Sequence, residues 1–111
     1  MTPTEKIEQA LSELYSRESA YEQAAVAFVE KEHAYKVAYA SAVLRSEATS
    51  ADRRDAEAVL ITKEEMLALV RAKVAKEISK AKLDDCLAAI SARQSLLSFE
   101  VKVLGKAALN T

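Results

Sequence analysis

The chain has one proline, at position 3, and one glycine, at position 105, and this near-absence of breakers constrains the fold more than any other feature. Proline fixes φ and removes an amide donor, and glycine raises the entropic cost of a regular backbone. A fold of many short elements needs turns, and turns are built from Gly, Pro, Asn and Asp. Ala, Glu, Lys, Leu and Arg dominate the interval between Pro3 and Gly105, the composition of long helices and coiled coils. Half of the 111 residues are hydrophobic, but many of them are alanine, so few large side chains can build a core. This length fits a single domain. The expectation is an all-α helical-hairpin domain over residues 1–111, coiled-coil-like and oligomeric.

Local signals divide the chain into two helices. Thr2, Pro3 and Glu5 form a start: Thr2 caps, Pro3 suits the first helical position, and Glu5 stands where a capping-box acid belongs. Helix 1 is expected over about residues 3–46. Ile7, Leu11, Leu14, Tyr21, Ala25, Phe28, Tyr35, Tyr39 and Ala42 follow a heptad-like repeat, with Glu18 and Glu32 on the same stripe. Unpaired buried carboxylates are costly, so bases of helix 2 are the expected partners of both. The linker is Ser46 to Ser50; Thr49 or Ser50 caps helix 2, and only Thr49 has capping-box spacing, to Asp52. So short a connection predicts antiparallel neighbours.

Helix 2 is expected over about residues 50–104, stopped at Gly105. A second capping-box pattern, Thr62 with Glu65, predicts a kink or break near Ile61. Leu83, Leu87, Ile90, Gln94, Leu97, Val101 and Leu104 form one stripe, whereas Leu60, Leu67 and Val74 follow another register. The offset between Val74 and Leu83 implies a stutter or a change of packing partner. Each helix also carries an additional stripe: Val26, Val29, His33, Val37 and Ala40 on helix 1, and Leu96, Phe99 and Val103 on helix 2. A lone hairpin needs one seam per helix. Two seams predict neighbours, and copies of the same chain are the simplest.

Catalytic patterns are absent. Glu30 and His33 match the Glu-x-x-His pair of di-iron bundles, but a site needs two such motifs and further carboxylates, and His33 is the only histidine. Cys86 follows Asp84 and Asp85, whose charge disfavours a thiolate, and reads as a packed cysteine. The consecutive acids Glu64/Glu65 and Asp84/Asp85 diverge by about 100° on a helix and read as solvated surface rather than as an acid–base dyad. No Gly-rich phosphate loop or zinc spacing occurs. No enzyme activity, metal or cofactor is expected. A single thiol fits a reducing cytoplasm. No signal peptide is visible, and no run of about 18 apolar residues spans a membrane.

The charge is unevenly spread. Residues 1–33 hold seven acids and three bases, and residues 61–111 hold six acids and nine bases, although the total is only −1. Within residues 71–82, Arg71, Lys73, Lys76, Lys80 and Lys82 face one acid, Glu77. Lys73, Lys76 and Lys80 share one face and Arg71 and Lys82 another, with Val70, Val74 and Ile78 between. Such rows can serve as a track for a phosphate backbone or simply as a solvated helix face.

Three stretches resemble the small phage recombination mediators of the UvsY type. They are Glu32-His33-Ala34-Tyr35-Lys36 in the first helix, the basic segment Leu69–Lys82, and the run from Leu83 to Arg93. The resemblance covers roughly residues 30–104. It implies a ring-forming homo-oligomer in the host cytoplasm that binds single-stranded DNA and helps a recombinase displace single-strand-binding protein. The five cations of residues 71–82 are then the expected DNA contacts, and Val26, Val29, His33, Val37, Leu96, Phe99 and Val103 the expected oligomer interface. The alternative is a coiled-coil adaptor, scaffold or assembly chaperone that binds no nucleic acid.

Overall fold

Helix-favouring composition gives an all-helical chain. The structure, a computed structural model, describes residues 2–109, with side chains described to Lys106. It contains α1 (Pro3–Arg45), α2 (Ala51–Ile61) and α3 (Lys63–Leu109), with no strand among the described residues. The start of α1 is a capping box: Glu5 N–H donates to Thr2 Oγ1 at 3.1 Å, and Thr2 N–H donates to Glu5 Oε2 at 3.1 Å.

Residues 46–50 form the only non-helical connection among the described residues, apart from Thr62. Ser50, extended at φ −100° and ψ 146°, caps α2 by accepting from Arg53 N–H at 3.2 Å. The Thr49–Asp52 box is therefore not the one used: the last extended residue is the one whose hydroxyl reaches the free amides. Side chains then tie the connection down. Arg54 Nε donates to Ala48 carbonyl at 2.9 Å, and Ser46 Oγ donates to Glu57 Oε2 at 2.5 Å.

The break expected near Ile61 occurs at Thr62, but not through a capping box. Thr62 N–H and Thr62 Oγ1 both donate to Ala58 carbonyl, at 2.9 and 2.6 Å, while Met66 N–H continues the ladder to Thr62 carbonyl. This is a hydroxyl bonded back one turn, a known cause of bending. At the far end, α3 runs through Gly105 rather than stopping there, and Gly105 has no positive φ.

Two compact units result, one of Ala20–Ser79 and one of Met1–Ser19 with Lys80–Thr111. In the first, α1 lies antiparallel to α2 and α3. Tyr39 OH donates to Asp55 Oδ1 at 3.2 Å, and Lys76 Nζ lies 4.9 Å from the Phe28 ring centroid. In the second, the first turns of α1 lie beside residues 90–100, and residues 10–17 beside residues 82–93, which is again antiparallel.

The seam on α1 follows the expected stripe in part. Leu14, Tyr21, Ala25, Phe28, Tyr35 and Tyr39 are half-buried and Ala42 is buried, whereas Ile7, Leu11 and Glu18 are exposed. Glu32 is partnered from its own helix, by Lys36 at 3.4 Å, and not from helix 2. On α3 the half-buried positions are Glu65, Leu69, Ala72, Lys76, Ser79, Leu83, Cys86 and Ile90, with Ala68 beside Leu69. Ala68 apart, they recur at alternating steps of four and three with no stutter. The offset seen in the sequence arose because several of these seam residues are small or polar, while Leu67, Val70, Val74 and Ile78 lie on the opposite side of α3 and are exposed. The same holds further on, where Cys86 is half-buried and Leu87 is exposed.

Candidate interaction surface

The side chains that face away from the seam define the surface a partner would meet. Only Ala42, Ala58 and Thr62 are buried among the described residues. The apolar side chains on α1 that point away from α3 remain open: Val26, Val29, His33, Val37 and Ala40 are all exposed, Val29 at 62% and Val37 at 51%. Leu44 extends this row and is 86% exposed. It follows the same steps of three and four, and that spacing could have revealed it.

On α3, Leu96, Phe99 and Val103 are likewise exposed, and so is every described residue from Ser91 to Lys106. Large apolar groups on two sides of one helix are a poor fit to an isolated hairpin in water.

The five cations do not act as one set. Arg71, Lys73, Lys80 and Lys82 are exposed, but Lys76 is half-buried in the seam, with its ammonium over the face of Phe28. A cation there gains from the ring quadrupole and is turned away from an external anion. Helical spacing put Lys76 in line with Lys73 and Lys80. The direction of the seam, which lies between those rows, separates it from them.

Polar groups inside the seam weaken it. Glu65 buries Oε2 with no hydrogen-bond partner, a cost rather than a gain. Tyr35 and Tyr39 pack with ring centroids 6.0 Å apart. Desolvation, the hydrogen bond to Asp55, and the charges of Asp55 and Tyr35 together raise the Tyr39 phenol above its ordinary pKa.

An apolar groove of about 750 Å³ lies in the unit of the chain ends, bounded by Pro3, Ile7 and Leu11 of α1 and by Ile90, Gln94 and Leu97 of α3. Ile7 and Leu11 were placed in the intramolecular seam by their spacing; instead they form an open wall.

Glu30 and His33 are both exposed, and among the described residues no group of three His, Cys, Asp or Glu side chains is placed to hold a metal ion. Cys86 is a half-buried free thiol. No described helix is long and apolar enough to cross a membrane. No protein-family model matches the chain, and no curated protein or solved structure matches it either.

Proposed function

We propose that the chain is a non-enzymatic assembly module: a helical hairpin that works as a homo-oligomer and uses its outward apolar faces to join copies of itself. One observation carries this reading. Nearly all the large apolar side chains of α1 and α3 that lie off the seam are exposed, while the fully buried apolar residues are two alanines. Burying a Val or Leu side chain stabilises by roughly 1.5–3 kcal/mol, so rows of them left in water represent a large unrealised driving force. Association realises it.

Light scattering after size exclusion tests the proposal. The native chain is expected to elute as two or more copies at micromolar concentration, and Val29→Asp with Val37→Asp to reduce that mass with helicity retained. A native chain that stays monomeric at high micromolar concentration overturns it.

A second reading, single-stranded DNA binding by a recombination mediator, is favoured by the exposure of Arg71, Lys73, Lys80 and Lys82 on one helix. It goes with the resemblance to the UvsY type. In this reading the backbone phosphates are neutralised without base preference, so affinity falls steeply with salt. Each lost phosphate contact lowers the magnitude of the log–log salt slope by about 0.7. Lys73→Glu with Lys80→Glu should therefore flatten the slope and weaken binding, whereas Lys76→Met should leave the slope nearly unchanged. Absence of salt-sensitive affinity for an oligonucleotide leaves the assembly role without nucleic acid.

A further inference from the structure

We propose that two copies pair antiparallel along the outer face of α3, about a two-fold axis beside Val74. This rests on the assembly reading above and names one surface that carries it.

The seam fixes which face of α3 is left outside. Glu65, Ala72, Lys76 and Ser79 turn toward α1, so Leu67, Val70, Val74 and Ile78 turn away from it. Around the helix, Leu67, Val70 and Ile78 all lie within about 40° of Val74. They form one narrow row, and Val70, Val74 and Ile78 are 48%, 46% and 51% exposed. The row reads alike in both directions from its centre, since Val70 stands about one turn before Val74 and Ile78 about one turn after. A second α3 running the opposite way presents the same spacing. Val74 then meets Val74 of the other copy, and Val70 meets Ile78 twice over. Such a contact is isologous and closes on itself.

Any apolar helix fits a row of that shape, and charge selects among them. Lys63 stands on the row, Arg71 on one flank, and Lys73 and Glu77 on the other; all four are exposed. An antiparallel pair brings like flanks together. Lys73 of each copy then lies beside Glu77 of the other, offset by only about 3 Å along the axis. The four charges alternate in sign, and flanking pairs of this kind set partner and orientation. A parallel pair brings opposite flanks together. It sets Arg71 beside Lys73 and Lys63 on Lys63, and like charges in contact are costly. An anionic surface would meet Glu77 at the edge of the row. Since α3 continues as one helix past Ser79, the antiparallel register also places Lys63 opposite Asp85 and Glu64 beside Lys82, all exposed. Lys82 and Asp85 border a small pocket with Glu13 and Arg17 as well, so the direction rests on Lys63, Arg71, Lys73 and Glu77.

Three measurements test this on the full chain. In sedimentation equilibrium, Val74→Asp sets two carboxylates face to face on the axis and should raise the dissociation constant of this contact roughly a hundredfold. Lys73→Glu alone and Glu77→Lys alone should each weaken it several-fold, and the two together should restore it, because the swapped charges meet again across the axis. The third is a disulfide trap in a Cys86→Ser background. Chains carrying Val70→Cys and chains carrying Ile78→Cys should give little dimer when oxidised separately, and a reductant-sensitive dimer on a non-reducing gel when mixed. If circular dichroism shows that Val74→Asp has lost its helicity, or if the mass and the gel disagree, the trap decides. A monomeric native chain overturns the assembly reading and this pairing with it. A native oligomer that is unmoved by Val74→Asp and gives no 70–78 disulfide overturns only the pairing, and so does one in which Val70→Cys cross-links with itself as readily as with Ile78→Cys.

Discussion

Tyr39 shows how one side chain links the elements of this hairpin. Its hydroxyl donates to Asp55, and its ring stands beside Tyr35. Desolvation disfavours the phenolate, and ionisation would also destroy the hydrogen bond and set a negative charge beside a carboxylate, so the group holds its proton more tightly than a free tyrosine. The sign follows. Because the folded pKa is raised, the contribution to stability is fully present below the ordinary tyrosine value of about 10 and is lost as pH rises through the folded value. Tyrosinate absorbance should contain a step above the ordinary tyrosine range, and Tyr39→Phe should remove that late step. A titration curve unchanged in Tyr39→Phe would refute the assignment. Lys76 teaches a related lesson. Its charge was legible in the sequence, and so was its membership of a basic segment. Its direction was not, because a residue's side of a helix is fixed only once the partner helix is known.

At the scale of elements, capping explains both what was legible and what was not. The limits of α1 and of the connection follow from Pro3, Thr2 and the cluster Ser46–Ser50, and the structure places them close to those signals. Which hydroxyl caps α2 was harder to read, since Thr49 and Ser50 compete and only the backbone conformation decides between them. Ser50→Ala should destabilise the chain by about 1 kcal/mol, and Thr49→Ala by less than about 0.5 kcal/mol. Chemical denaturation followed by circular dichroism distinguishes them; equal effects would mean the cap is shared. The seam of α3 was the least legible element. Hydrophobic periodicity finds Leu67, Val70 and Val74 because they are large and apolar, yet Glu65, Ala72, Lys76 and Ser79 are the residues that approach α1. Small and aliphatic-stemmed side chains pack closely without registering as hydrophobic.

For the molecule as a whole, the sequence predicted a helical hairpin with surplus apolar faces, and the structure leaves those faces open. The groove was illegible because its walls, Ile7 and Leu11, fit a seam just as well until the start of α1 and the course of α3 were both known. A protein whose outer faces are completed by other copies should have a stability that depends on concentration. The melting temperature should rise as the chain is concentrated from low to high micromolar, and Val29→Asp with Val37→Asp should weaken that dependence. A melting temperature independent of concentration in the native chain would argue for a self-sufficient hairpin.

The bend also sets an order of events. Ala42 of α1, Ala58 of α2 and Thr62 at the junction of α2 and α3, the buried residues among those described, lie near the short connection at residues 46–50. Loop closure costs least there, because few residues separate the groups that must meet. The bonds from Ser46 to Glu57 and from Tyr39 to Asp55 join partners close in the chain, whereas Lys76 and Phe28 lie much further apart. A newly made chain therefore nucleates at the bend and closes progressively toward its ends. Local contacts of this kind make for fast folding. The same gradient governs opening: the ends part first while the bend still holds.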